Sequence, residues 1–254
     1  EPLLSSSDRL VGATAHFAIG LAHRALANGS QSTAHLERAA DLAAADLDLR
    51  GRVLRSLAFN YSQAGDHPRA DATIAESIDL LRGQERDLSL LQQAFLLLMR
   101  GEHRQALPVL SAAVDSFTES GDDSYLELTL YNRALAYLET GEYEFSIVDL
   151  QRSYEIAIAQ DHKVSAAEAA LHLSQVMGWT DDLPGAMEWQ SRSAELRAAM
   201  GAENPLAETE HAFVLIQARL LREAEEVLRR AVPDLEAAGD NHAIAVAGRL
   251  ALAE

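Results

Sequence analysis

The sequence predicts an all-α protein built as a solenoid of stacked antiparallel helix pairs, and three observations predict it. The first is composition: 254 residues carry 48% apolar and 24% charged side chains but only 6 Pro and 14 Gly. Ala, Leu, Glu, Arg and Gln, which lose least on entering a helix, dominate the remainder. The second is a recurrent spacing, a small residue followed by a glycine seven positions on and another small residue five further. It occurs at Ala22, Gly29, Ala34; at Ala58, Gly65, Ala70; at Ala94, Gly101, Ala106; and at Ala134, Gly141, Ser146. With the glycine replaced it continues at Ser174, Asp181, Ala186 and at Ala212, Arg219, Ala224, the six copies standing 36, 36, 40, 40 and 38 residues apart. A fixed period of this length is the mark of a repeat architecture. The third is punctuation: polar connectors such as "ESGDDS", "AQDHK" and "AAGDN" interrupt an otherwise periodic apolar pattern.

Each copy reads as a helical hairpin. The first small residue lets a neighbouring helix approach, the glycine supplies the left-handed turn that ends a helix, and the second small residue seats the next helix. The first repeat spans about 8–46, with helices at 8–27 and 32–46 turning at Gly29. The second spans 49–82; Asp66 followed by Pro68 places a capping carboxylate and then a proline in the first turn of its second helix, where the missing N–H costs nothing. The third spans 86–119, with Pro108 two residues beyond its seating position Ala106, which predicts a delayed start or a bend. The fourth spans 123–160 and contains the clearest copy, "YNRALAYLETGEYEFSIVDLQRSYEIA". In the fifth, 164–200, Asp182 and Pro184 repeat the capping pattern. The sixth, 205–238, opens at Asn204 and Pro205 and is predicted to kink at Pro233. A last unpaired helix, 242–254, is a partial seventh repeat within a single domain, 1–254. The chain begins at Glu1 rather than Met and stops on an apolar-patterned helix, so further protein is expected beyond Glu254.

Charge and composition exclude whole classes of function. The formal charge is −18, from 39 acidic against 21 basic residues, and Lys163 is the one lysine. Nucleic acid binding needs clustered cations that release counterions, so no nucleic acid partner is expected. The longest apolar run, Ala94 to Met99, is far short of a membrane span, so no membrane is expected and a cytoplasmic location is the simplest reading. The absence of Cys removes disulfides, thiolate metal sites and cysteine nucleophiles. His16 and His23 share a helix face seven residues apart, about 10.5 Å along the axis, too far for one metal. No metalloprotease, phosphate-loop, nucleophile-elbow or EF-hand motif occurs, so no cofactor, no metal and no enzymatic activity are expected. The acidic pairs Asp122/Asp123, Glu142/Glu144 and Asp181/Asp182 are read as helix-start residues.

The fourth repeat resembles the tetratricopeptide repeat family. Ala134 matches the family's small residue of the first helix, Tyr137 the aromatic one turn later, Gly141 the turn, Tyr143 the aromatic after it, Ser146 the small residue of the second helix and Leu150 the large apolar residue that follows. The resemblance extends over roughly Val11 to Ala238. It departs where the family has tryptophan and leucine early in the first helix, which are Leu130 and Arg133 here, and in a period longer than the family's usual one. The stretches "NRALAYLETGEY" and "RLLREAEEVLRRAVPDLEAAGD" also look like the arrays that precede CHAT-type, caspase-like peptidase domains in large bacterial proteins. The resemblance implies a right-handed superhelix, a non-catalytic scaffold that binds a protein or peptide, and any catalytic domain outside this chain.

In that family the first helices of successive repeats line a concave groove. The matching positions are His16, Ile19, His23 and Leu26 in the first repeat; Arg52, Arg55, Phe59, Ser62 and Gln63 in the second; and Leu88, Leu91, Phe95, Leu98 and Met99 in the third. They continue with Leu128, Tyr131, Leu135, Leu138 and Glu139; then Glu168, Leu171, Gln175 and Trp179; then Leu206, Thr209, Phe213, Ile216 and Gln217. The candidate partner-binding residues are Arg52, Arg55, Phe59, Leu91, Phe95, Leu98, Tyr131, Leu135, Leu138, Leu171, Gln175, Trp179, Phe213 and Ile216. Some members grip a peptide's terminal carboxylate through an Asn that here is Phe59, Phe95, Leu135, Gln175 or Phe213, so that clamp is not expected. An aromatic and aliphatic groove suits the apolar face of a helix or an extended apolar segment, either a separate partner or another part of the same parent chain. The alternative is a peptide-sensing receptor module of a transcriptional regulator, with Arg52 and Arg55 as its charged anchor.

Overall fold

A computed structural model describes residues 8–201, 205–217 and 220–237. Among them there is no strand, and twelve helices pack as successive pairs: α1 (Arg9–Ala25) with α2 (Gly29–Leu42), α3 (Leu47–Gln63) with α4 (His67–Leu80), α5 (Gly83–Met99) with α6 (His103–Ser120), α7 (Asp123–Thr140) with α8 (Tyr143–Ala159), α9 (Lys163–Trp179) with α10 (Leu183–Ala199), and α11 (Pro205–Gln217) with α12 (Leu221–Ala237). The described residues fall into two compact units, divided between Gly121 and Asp122. The helix expected over 242–254 lies outside the described residues, as does Arg219 of the last turn.

The local chemistry places the helix starts. The carboxylates of Asp46, Asp66, Asp122 and Asp182 each accept from a backbone N–H three residues on, at 2.9 to 3.3 Å, capping α3, α4, α7 and α10. Pro68 and Pro184 occupy the first turns of α4 and α10. Pro108 behaves differently from expectation: α6 begins at His103 without delay and runs continuously through the proline. Pro108 is exposed, so the carbonyl it leaves unpaired faces water. Pro233 lies within α12, and its side chain is outside the described ones.

One element of the predicted spacing is wrong. The left-handed residue between α1 and α2 is Ala27, at φ 57°, whereas Gly29 is the first helical residue of α2. Counting from Ala27, the two small residues of the first hairpin become Gly20 and Ser32 in place of Ala22 and Ala34. The packing explains the shift. Leu36 is fully buried against the bare backbone of Gly20, where a Cβ would stand 2.8 Å from its Cγ, and Ser32 Oγ donates to the Gly20 carbonyl at 2.8 Å. The fourth repeat makes the same bond, Ser146 Oγ to the Ala134 carbonyl at 2.9 Å.

A further buried small residue recurs twelve positions after the left-handed turn inside each of the first five hairpins: Ala39, Ser77, Ala113, Ser153 and Ser193, each at most 1% exposed. Where it is serine its hydroxyl reaches the first helix of its own hairpin, Ser77 to the Gly51 carbonyl at 2.8 Å, Ser153 to that of Glu127 at 3.1 Å, and Ser193 to that of Ala167 at 2.8 Å. Two small residues per second helix, near its start and its middle, therefore hold each hairpin closed along its length. Fully buried Leu110, Leu150 and Leu173 fill the layers between them.

Candidate functional site

In the N-terminal unit α1, α3 and α5 lie side by side, so their outward positions form one face. Phe59 and Phe95, each directly after the small residue of its helix, stack with ring centroids 6.3 Å apart. Phe59 is half-buried and Phe95 is 38% exposed. Leu98 is half-buried beside them, Met99 is 60% exposed, and Leu91 is nearly buried and belongs more to the core than to the face. The two arginines are already engaged. Arg52 pairs with Asp48 on its own helix at 3.3 Å, and Arg55 reaches α5, pairing with the Glu85 carboxylate at 2.9 Å and donating to the Glu85 carbonyl at 3.0 Å. Arg55 thus fastens α3 to α5.

The shifted register changes what α1 shows. Three and four positions beyond Gly20 lie His23 and Arg24, and it is Arg24 that stands over the Phe59 ring, 5.5 Å from its centroid, while Phe17 packs into the core below. His16 and His23 turn toward α2 instead. His16 Nδ1 and His35 Nδ1 share a hydrogen bond at 2.9 Å, and the His23 ring stacks on His35 at 5.5 Å. Burial foremost, then His35 and Arg38, holds His16 below the ordinary histidine range. Spacing along α1 could not show this cluster, because its middle member comes from the neighbouring helix. Ile19 is half-buried and Leu26 is 70% exposed at the hairpin turn. Among the described residues no three His, Asp or Glu side chains are arranged to hold a metal, and no helix is long and apolar enough to cross a membrane.

In the C-terminal unit the corresponding positions are more enclosed. Tyr131 and Leu135 pack half-buried against a core that includes Leu138, Leu173 and Met177. The Tyr131 ring meets His172 at 5.6 Å, and His172 Nδ1 is bonded to Gln175 Oε1 at 2.9 Å. Burial, with Glu168 adding to it, pushes the Tyr131 hydroxyl up to about 12 against the opposing Arg197. Leu171 and Gln175 are half-buried, Trp179 is 45% exposed and tilts against Tyr143 at 6.0 Å, and Leu128 is 45% exposed. Ile216 packs against the Ala212, Leu215 and Val227 cluster. Phe213 is placed on α11, but its side chain lies outside the described ones, as do those of Leu206 and Gln217. Buried polar groups here fasten helices to one another, within a hairpin and from one hairpin to the next. Arg133 grips Asp149 through two bonds, at 2.6 and 2.8 Å, joining α7 to α8, and buried Glu127 accepts from or pairs with His162 at 2.7 Å.

No protein-family model matches the chain, and no curated protein matches it. Solved structures do. A signal transduction ATPase with numerous domains (STAND) protein with a tetratricopeptide repeat sensor, from Pyrococcus horikoshii, superposes with a TM-score of 0.81 at 17% identity over 95% of this chain and 38% of that one. BtubC from P. vanneervenii gives 0.71 at 19% identity over 87% of this chain and 93% of that one. A Rap protein complexed with competence and sporulation factor gives 0.60 at 16% identity over 98% and 79%. At these identities the likeness is one of fold: helix hairpins stacked as in tetratricopeptide repeat proteins.

Proposed function

We propose that this chain is a non-catalytic interaction scaffold whose first-helix face receives a protein or peptide segment, as the recognition part of a larger multidomain protein. The observation that carries the reading is the exposed aromatic and aliphatic row on that face in the N-terminal unit, Phe59 and Phe95 stacked and Met99 60% exposed beside them. Large apolar side chains held rigidly on helices at a shared face are suited to an apolar helix or an extended strand of a partner. The polar chemistry of the chain points the same way, since its buried ion pairs and serine bonds close hairpins and are spent on architecture. In this reading a CHAT-type peptidase is one candidate for the domain that such a scaffold serves.

Capture of partners from a bacterial lysate on immobilised protein, with identification by mass spectrometry, tests the reading. Phe95→Asp and Met99→Asp, each confirmed helical by circular dichroism, are expected to lose partners that the unaltered chain retains. If every retained partner survives both changes, the face is not the binding surface. The sensing alternative is favoured by two structural neighbours, the repeats described as a sensor in the STAND protein and the Rap chain solved with a factor bound. In that reading a short peptide occupies the same face and its occupancy is passed to an effector domain, such as the DNA-binding part of a transcriptional regulator.

A further inference from the structure

Between the turns of the first two hairpins lies an open cleft of about 720 Å³, lined on one side by Ala27, Gly29, Ser30 and Ala34 and on the other by Phe59, Asn60, Tyr61 and Asp66, with Arg24, Glu37 and Arg69 at its margins. Its size falls in the range of about 300 to 1,000 Å³ typical of ligand sites.

Of the charged groups around the cleft, Glu37, Arg69 and Asp66 are all engaged. Glu37 accepts from the Tyr61 hydroxyl at 2.8 Å and from Arg69 at 2.9 Å, and the Arg69 guanidinium lies 4.1 Å from the Tyr61 ring centroid. Asp66 caps α4 through the Arg69 N–H at 3.2 Å, and the Asn60 amide donates to Ser32 at 2.8 Å and to Thr33 at 3.3 Å. Arg24 has no carboxylate within ion-pair distance among the described residues; its guanidinium rests on the Phe59 face, and partial burial alone lowers its pKa. In a chain with 39 acidic residues, this exposed guanidinium stands at a cleft mouth over an aromatic ring, with no carboxylate in ion-pair distance among the described residues.

We infer that the cleft receives an acidic side chain of a bound peptide, its carboxylate pairing with Arg24 while an adjacent apolar side chain lies on Phe59 and Phe95. The inference rests on the binding-scaffold reading and adds the chemistry of the segment bound. A guanidinium flanked by an aromatic face suits a planar carboxylate next to apolar surface. A polyanion such as nucleic acid is disfavoured by the charge of −18.

Selection from a display library of random dodecapeptides against the whole chain tests it, with fluorescence anisotropy on the peptides recovered. The expected result is enrichment of Asp or Glu next to Phe, Trp or Leu. Arg24→Gln should weaken a selected peptide about tenfold, the peptide's own Glu→Gln should weaken it equally, and the two together should cost no more than either. Arg24→Lys should recover part of the loss. Peptides without acidic enrichment, no peptide at all, or affinities unmoved by Arg24→Gln would overturn the inference. Peptides that lose affinity on Phe95→Asp but not on Arg24→Gln overturn it while leaving the scaffold reading standing; peptides indifferent to both overturn the two together.

Discussion

The register of the first hairpin makes a prediction whose sign depends on the tertiary structure. If Gly29 were the left-handed turn, as the sequence spacing suggests, Gly29→Ala would be strained, Ala27→Gly would bring nothing, and Gly20→Ala would relieve a mid-helix glycine. The structure reverses all three. Ala27 sits at φ 57°, a conformation that costs a residue with a Cβ about 1 to 2 kcal/mol. Ala27→Gly removes that cost but frees the unfolded chain by about 0.4 to 1 kcal/mol, for a net gain of roughly 0.5 to 1 kcal/mol. Gly29 is the first residue of α2, with nothing within 4 Å of a built Cβ, so Gly29→Ala should stabilise by roughly 0.5 kcal/mol, slightly less than in a helix interior. At Gly20 a Cβ would meet Leu36 Cγ and Cδ2 at 2.8 Å and the Ser32 carbonyl at 3.3 Å, and Leu36 is fully buried, so Gly20→Ala should cost about 1 to 3 kcal/mol. Because a single hairpin of a repeat array can open by itself, the assay is amide hydrogen exchange across α1 and α2 alongside urea denaturation. A loss of protection in Gly29→Ala, or a gain in Gly20→Ala, would refute the register.

Two more outcomes follow from the same structure. Asp149→Ala removes the bidentate partner of Arg133 when the arginine side chain is only 16% exposed, and should cost about 3 kcal/mol in urea denaturation; a loss below about 1 kcal/mol would mean the pair contributes little. Lowering the pH should loosen the first hairpin. Burial and then His35 and Arg38 hold His16 below its ordinary value of 6.5, so the unfolded chain takes up the proton first. Stability is therefore full above that value and falls as the pH drops below it. Exchange in α1 and α2, corrected for intrinsic rates, should accelerate as the pH is lowered through the ordinary histidine value and below it, and His16→Gln should flatten the change; an identical profile in the variant would assign the effect elsewhere.

The all-α repeat fold was legible in the sequence because its signals are local. A left-handed turn, a capping aspartate such as Asp66 or Asp182 and a proline in the following first turn act within a few residues of chain, and each copy declares itself without reference to the others. The small residue twelve positions after the turn inside each of the first five hairpins was equally present in the sequence, but Ala and Ser are common enough that its role shows only when Ser77, Ser153 and Ser193 are seen bonded to the opposite helix. The face of the first helices was partly legible. Phe59 and Phe95 stack as their shared position suggests, while Arg55 is occupied by Glu85 and Arg24 has no such partner among the described residues.

By itself, then, the sequence determined helices, turns and their period, since these follow from backbone preferences acting over one or two helical turns. Only the tertiary structure decided which of two nearby residues, Ala27 or Gly29, takes the left-handed turn. Conformational preference alone favours the glycine, and the fit of Leu36 on the bare backbone of Gly20 outweighs it. It also decided which arginine is held within the fold, because Arg55 finds its counter-charge thirty residues away on another helix, and no local pattern records a pairing made across that distance.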